Sequence, residues 1–384
     1  MIHVVEVSSD SNIGGAGRCI LTFLRAFDRT RFRISVVVPR GSLLVPEIRA
    51  LDVPVYELDY LAERSLDRHA IAGLAKLFRQ IQPDIVHTHA SMSARLAAKR
   101  CGIPIVYTRH SVFPPPRRIS QGVGKAVNGF INNHTADRII AVAEAAKDNL
   151  TATGVRADKI AVILNGVDAL QPVDAAGLAA LRQQYGVREG QKAVAIVARL
   201  NPVKGHRYFI EAAGLLKKRG VDAKFFIAGT GEEEARLKAQ IADLNLGDTV
   251  TMLGFLSDVA PLMNLMDVQA NCSYGTEATS LSLLEGMSLG KPAVVTDFGG
   301  NPGVIQDGVN GFLIPTHNAA AMADALQRLL TDAACYRQMQ QNCFKIYEEK
   351  FTAAANARSV EAVYQTLYSA KKKRTGGTYD ETKV

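Results

Sequence analysis

Short, continuous apolar runs recur along the chain, each followed by a polar turn and a stretch of helical spacing. Residues 2–7 form the first run and end in the polar turn 8–12. Gly14, Gly15 and Gly17 follow, then an amphipathic stretch through Leu21, Leu24 and Phe27. Further runs fall at 33–39, 53–58, 85–89, 103–109, 138–142 and 160–164, with helices expected from about 43, over 67–81 and over 122–135. Runs without polar alternation, separated by helices, predict parallel strands covered on both faces. Pro114, Pro115 and Pro116 with Arg117 and Arg118 interrupt the alternation and read as a loop. Asn165-Gly166 is a turn signal. The pattern thins over 169–191 and restarts with runs at 194–198, 223–228, 249–253, 268–271, 293–296 and 311–314. This predicts an α/β chain of two doubly wound, Rossmann-like domains facing a cleft, with a boundary near 168–192. The divisions expected are 1–168, 169–352, a helix over about 353–370 that crosses back to the first domain, and a basic flexible tail at 371–384. In open parallel sheets ligands collect beyond the carboxyl ends of the strands, so the chemistry should lie in the loops there.

The length of 384 residues fits two domains, and 47% hydrophobic against 21% charged residues gives each a core and excludes disorder. No apolar run approaches the ~18 residues of a membrane span. The opening MIHVVEVSSD lacks a basic leader region. Cys19, Cys101, Cys272, Cys335 and Cys343 are odd in number and form no CxxC, which disfavours a disulfide scaffold or zinc ribbon and points to a reducing cytoplasm. The net charge of +8 is unevenly spread. Residues 1–168 hold 22 Lys and Arg against 15 Asp and Glu, residues 169–370 hold 18 against 20, and the tail adds the rest. A basic first half suits solvent, an anionic lipid surface or an acidic acceptor. No aromatic-interleaved basic strand or zinc finger supports nucleic acid as a partner.

Two constellations carry chemistry. After the run 268–271 comes Ser273-Tyr274-Gly275-Thr276-Glu277-Ala278-Thr279-Ser280-Leu281-Ser282-Leu283-Leu284-Glu285. A helix should begin near Thr279 or Ser280, with either hydroxyl capping its first turn, and stop at Gly290 before Pro292. Its free N–H groups and positive dipole end suit a diphosphate. Glu277 in the loop and Glu285 about five residues inside the helix can bond hydroxyls at the two ends of such a ligand. The second constellation, Arg199-Leu200-Asn201-Pro202-Val203-Lys204-Gly205, follows the run 194–198. A forked guanidinium and an ammonium on one loop suit a diphosphate leaving group, offsetting its charge without a metal. His110 ends another strand. His87 and His89 share a strand face; with no third ligand apparent in the sequence, a structural or acceptor-side role is expected rather than a metal site.

With Arg-Leu-x-Pro-x-Lys-Gly, Glu-x7-Glu, the early Gly-Gly-Ala, Ile163-Leu164-Asn165-Gly166-Val167-Asp168, Gly229-Thr230-Gly231-Glu232 and Leu253-Gly254-Phe255 in this order, the sequence resembles the GT-B glycosyltransferases of family 4. Members are retaining and use nucleotide sugars. The resemblance, from about residue 2 to 368, implies that Arg199 and Lys204 hold the donor diphosphate and Glu285 the ribose. Glu277 would bond the transferred sugar, with backbone N–H groups of Ala278, Thr279, Ser280, Leu281 and Ser282 nearby. Gly14 and Gly15 would admit the donor phosphates, the base would rest near Gly229 and Phe255, and His110 would meet the donor sugar. The co-substrate would be a nucleoside diphosphate sugar, with no cofactor and no metal. A lipid-linked or saccharide acceptor, in bacterial cell-surface polysaccharide or glycolipid synthesis, would place the enzyme in the cytoplasm or peripherally on the inner membrane face.

Departures from the family pattern affect the sugar pocket. Ala278-Thr279-Ser280 replaces the usual Gly-Phe-Gly, and Gly303 stands where a glutamate often follows Gly-Gly-x-Pro. No Asp-x-Asp is present, which disfavours a GT-A transferase. A nicotinamide dehydrogenase is disfavoured because Gly15-x-Gly17 is followed by Ile20 where the fingerprint needs glycine or alanine. A GT-B-shaped sugar-nucleotide epimerase and a non-catalytic sugar-nucleotide binder remain as alternatives, separated by whether turnover needs an acceptor.

Overall fold

Seven strands of the first sheet are β1 (Ile2–Ser8), β2 (Phe32–Pro39), β3 (Val55–Leu58), β4 (Ile85–His89), β5 (Ile105–Arg109), β6 (Arg138–Ala141) and β7 (Ile160–Val162). They come from a computed structural model that describes residues 1–61, 66–112 and 114–374. All pair in parallel, in the order β3-β2-β1-β4-β5-β6-β7. Alternate residues of the strands feed two apolar layers. Ile2, Val4, Ile34, Val36, Ile85 and Val106 pack on one face, and Val5, Val7, Val37, Val86 and Ile105 on the other. The second sheet contains β8 (Lys192–Val197), β9 (Ala223–Ala228), β10 (Val250–Gly254), β11 (Val268–Asn271), β12 (Ala293–Thr296) and β13 (Gly311–Ile314). It is also parallel, in the order β10-β9-β8-β11-β12-β13, with a core on each face.

The chain divides into two compact units, Met1–Gly166 with the segment from Ala353 onward, and Val167–Thr352. The division falls two residues before the expected 168/169 because Val167 belongs to the second unit's own closure. Val167 forms a parallel bridge with Thr352, its N–H donates to Phe351 O at 3.0 Å, and the Tyr347 hydroxyl donates to Val167 O at 2.9 Å. The two ends of this unit are thus tied to each other.

The last helix, Ala353–Arg374, returns to the first unit, where Ala357, Val360 and Tyr364 join the core around Ile2, Val4 and Phe23. It runs past the expected end at 370, so Lys371, Lys372, Lys373 and Arg374 are helical and not part of a tail. The remainder of the expected flexible tail, 375–384, lies outside the described residues. A second departure concerns the proline-rich loop, where Arg117–Ser120 forms a short helix directly after Pro116. Pro116 is its N-cap, where the missing proline N–H costs no intrahelical hydrogen bond. Among the described residues no helix is long and apolar enough to cross a membrane.

Candidate functional site

In the second unit the strand order reverses between β8 and β11, so the loops leaving their carboxyl ends diverge and open a site. The β8 loop carries Arg199 and the short turn Pro202–Lys204. The β11 loop carries Glu277 and leads into the helix Leu281–Ser288. Lys204 Nζ donates to Glu277 Oε2 at 2.9 Å and to Thr276 O at 3.0 Å. Asn271 Nδ2 at 2.9 Å and Ser273 Oγ at 2.7 Å donate to the same Glu277 oxygen. The Lys204 and Glu277 side chains are only 15% and 9% exposed, and charge-assisted bonds of this kind are strong. The sequence assigns Lys204 and Glu277 separately to a diphosphate and a sugar; the structure joins them to each other.

The sequence assigns Asn271, Ser273, Gly299 and Gly300 no role of their own, although all four lie against Glu277. Gly300 N–H donates to Glu277 O at 3.2 Å. At Gly299 φ is +60°, and a Cβ there would stand 2.3 Å from Glu277 O, so only glycine allows this approach. The Gly299-Gly300 pair after β12 was the available signal. His206, next to Gly205, is buried, and burial with the nearby Lys204 charge pushes it down to about 4. It therefore stays neutral beside the ammonium.

Arg199 does not join this cluster. It is exposed, and its guanidinium has no hydrogen bond or ion pair among the described residues. Ser280 does not supply the expected hydroxyl cap. Ser280 is the N-cap of Leu281–Ser288, but its Oγ pairs with Ser282 Oγ at 3.1 Å and caps nothing. Ser282 Oγ in turn donates to Val197 O at 3.3 Å, fastening the start of the helix to the end of β8. The first-turn N–H groups beyond Ala278 and Thr279 keep no intrahelical acceptor, and the helix presents its positive end there. Glu285, the fifth helical residue, is half-buried. The helix stops at Ser288, two residues before Gly290, whose N–H donates to Met287 O at 2.9 Å.

Gly229 follows β9, and its N–H donates to Gly254 O at 2.7 Å. A Cβ on Gly229, where φ is +144°, would lie 2.0 Å from Ala198 O. This close approach lays the loops after β8, β9 and β10 side by side, with Phe255 beyond them 70% exposed and outside the core.

In the first unit the strand order reverses between β1 and β4. Register pairs Glu6 with His87 and Ser8 with His89. Glu6, 1% exposed, accepts the Tyr364 hydroxyl at 2.6 Å on Oε1 and His89 Nε2 at 2.6 Å on Oε2, and His87 Nδ1 lies 3.1 Å from Oε1. His87 Nε2 meets Thr108 Oγ1 at 2.6 Å, and His89 Nδ1 meets His110 Nε2 at 2.7 Å. Burial works to raise the Glu6 carboxyl, but the electrostatic pull of His87 and the hydrogen bonds of His87 and His89 prevail and hold it well below the usual carboxylate range. Burial pushes the Tyr364 hydroxyl far up, helped by Glu6. Sequence reasoning paired His87 with His89 and found no third group; β1 supplies Glu6, and the potential metal-binding atoms of the three lie within 4.8 Å of one another. Hydrogen bonds occupy these same atoms. Gly14 caps the helix Gly15–Ala26 without a side-chain bond. A Cβ on Gly15 would meet nothing within 4 Å, and one on Gly14 only Asp10 Oδ2 at 3.4 Å, so the fold itself does not require glycine at either place.

Comparison with known proteins follows this division. The Glycosyltransferase Family 4 model matches residues 13–170, and the Glycosyl transferases group 1 model matches residues 179–345. The UDP-Gal:alpha-D-GlcNAc-diphosphoundecaprenol alpha-1,3-galactosyltransferase of Escherichia coli is 27% identical, over 94% of this chain and 96% of its own. A D-inositol 3-phosphate glycosyltransferase of Arthrobacter sp. (strain FB24) is 31% identical, over 69% of this chain and 68% of its own. The crystal structure of Anabaena HepE in complex with UDP shares the fold, with a TM-score of 0.83 at 23% identity over 95% of this chain and 100% of that one. One model falls on each sheet and the relatives extend across both, and on these grounds the chain belongs to the GT-B glycosyltransferases of family 4.

Proposed function

We propose that this glycosyltransferase moves a hexose from a uridine diphosphate sugar to a hydroxyl of a lipid-linked saccharide, with retention at the anomeric carbon and without a metal. The observation that carries the donor site is the buried Lys204–Glu277 pair beside the uncapped start of Leu281–Ser288. A diphosphate arriving there finds the Lys204 ammonium, the exposed Arg199 guanidinium and free N–H groups. Glu277 and Glu285 accept from sugar and ribose hydroxyls. The E. coli relative, named for UDP-Gal and a diphosphoundecaprenol acceptor, supports the uridine donor and the lipid-linked acceptor. In a front-side transfer the bond from anomeric carbon to phosphate oxygen breaks while the bond to the acceptor oxygen forms on the same face. The acceptor proton passes to the departing phosphate oxygen, whose charge Arg199 and Lys204 offset. A panel of nucleoside diphosphate sugars tests this. A UDP-hexose should raise the melting temperature, since it binds only the folded form, and should give an α-linked product with acceptor in the presence of EDTA. Turnover without acceptor, inversion, or loss of activity in EDTA would each overturn the corresponding part.

Peripheral association with an anionic membrane is supported by the helix Gly122–Thr135, whose amphipathicity is inverted. Its inward face is polar: Asn128 Nδ2 donates to Thr153 O at 2.7 Å, and Asn132 Oδ1 accepts from the buried Arg95 at 2.9 Å. Its outer face exposes Val123 by 80%, Val127 by 51%, Phe130 by 63% and Ile131 by 39%. This spacing makes one apolar stripe. Arg117, Arg118 and Lys125 flank it, and residues 114–135 contain no acid. An apolar stripe with basic flanks suits an interface rich in anionic headgroups. Co-sedimentation with phosphatidylglycerol vesicles at physiological ionic strength should recover the wild type, and V127S/F130S should stay in the supernatant. No wild-type binding would remove the membrane reading.

A further inference from the structure

The cluster around Glu6 does more than fill the core, because it ends at His110. His110 follows β5 directly, is half-buried, and stacks on His89 with ring centroids 5.0 Å apart. Only its Nε2 is engaged, at 2.7 Å from His89 Nδ1. Nδ1 has no partner among the described residues and is not sealed from solvent. His110 lines a cavity of about 40 Å³ together with Glu6, His87, His89, Thr108 and Asn165 among others.

Proton positions follow from the fixed end of the chain. The Glu6 carboxylate only accepts, so His89 carries its proton on Nε2. Burial and the neighbouring His87 hold His89 below the ordinary imidazole range, so at neutral pH it has that one proton and its Nδ1 is bare. Bare Nδ1 must accept from His110 Nε2–H. His110 is also neutral, held well below the usual range by burial, His89 and His87. Its single proton is therefore on Nε2, and its outward Nδ1 is a lone pair.

We propose that Glu6 and His89 are positioning residues that lock His110 in one tautomer, so that Nδ1 accepts a hydrogen bond from a substrate hydroxyl. The inference rests on the reading that His110 meets the sugar. A ligand group facing Nδ1 must then bring a proton: a hydroxyl fits, whereas a carboxylate at the same point places two acceptors against each other. The Tyr364 hydroxyl bonds Oε1 of Glu6 and His89 Nε2 bonds Oε2, while His87 Nδ1 lies 3.1 Å from each oxygen and 2.6 Å from the Tyr364 hydroxyl.

The test is the tautomeric state of each histidine in ligand-free, 15N-histidine-labelled full-length protein, read from two-bond nitrogen–proton correlations. H110Q identifies the His110 signals. In the wild type His110 should be protonated on Nε2 and bare on Nδ1. In E6Q the side-chain amide can donate to His89 Nε2, which drives the His89 proton to Nδ1 and the His110 proton to its own Nδ1, inverting both rings. Y364F, which leaves Oε2 in place, should keep the wild-type tautomers. A wild-type His110 protonated on Nδ1 overturns the proposal, as does a folded E6Q with unchanged tautomers. If E6Q does not fold, the wild-type spectrum decides alone. The measurement needs no substrate. The expected tautomers in a protein that transfers no sugar would sink only the assigned function, and the wrong tautomers in an active enzyme would sink only this inference.

Discussion

Replacing Glu277 by alanine is expected to lower transfer by at least ~100-fold and stability by about 3 kcal/mol. The two losses have different origins. The stability term arises because Lys204, Asn271 and Ser273 all donate to Glu277 Oε2. Removing the carboxylate leaves a largely buried ammonium without its counter-charge, which costs far more than the pair contributes as a whole. On the proposed role, the activity term is the loss of charge-assisted bonds from the sugar to Glu277, each worth roughly 1.5–3 kcal/mol. Glu277→Gln separates them. The amide oxygen still accepts from the three donors, so most of the stability should return in urea titrations, while initial rates should stay low because one acceptor cannot serve the sugar hydroxyls and three donors. Wild-type turnover in Glu277→Ala would dismiss the sugar-binding role.

Arg199→Ala should give the opposite signature. The side chain is exposed and unpaired among the described residues, so stability should change by no more than about 0.5 kcal/mol. Transfer should nevertheless fall at least ~10-fold, because a forked cation on the departing diphosphate is worth roughly 1.5–3 kcal/mol. Arg199→Lys should recover only part of this, since a point charge does not reproduce the fork. An unchanged rate in Arg199→Ala would remove Arg199 from the proposed leaving-group site and leave that role to Lys204 and the helix N–H groups.

The strands were the most legible part of the sequence. The runs at 85–89, 223–228, 268–271, 293–296 and 311–314 coincide with β4, β9, β11, β12 and β13. Most are buried along nearly their whole length, so few polar positions blur their ends. The edge strand β7 is only half-buried and came out two residues shorter than its apolar run. Lys204 and Glu277, which the structure brings together, stand out in the sequence because their loops follow identifiable strands. Glu6 was not, because a single acid in an apolar run has no periodicity and its partners lie 81, 83 and 358 positions away. The helix Gly122–Thr135 shows a different limit. Spacing reveals that a helix has two faces, but which one turns inward depends on what waits there. Here Arg95 offers Asn132 a buried hydrogen bond, and the polar face wins.

The return of Ala353–Arg374 to the opening strands has a consequence for how the protein is made. Tyr364 and Val360 complete a layer begun by Ile2 and Val4. While the ribosome is still working through the middle of the message, β1 and β2 lack their cover, and the Glu6 carboxylate waits for a hydroxyl that lies 358 positions further along the chain. Val167–Thr352, whose ends are bridged to each other, can close beforehand. A nascent chain stalled before residue 353 should therefore hold a protease-resistant second half attached to a first half that is still open to digestion.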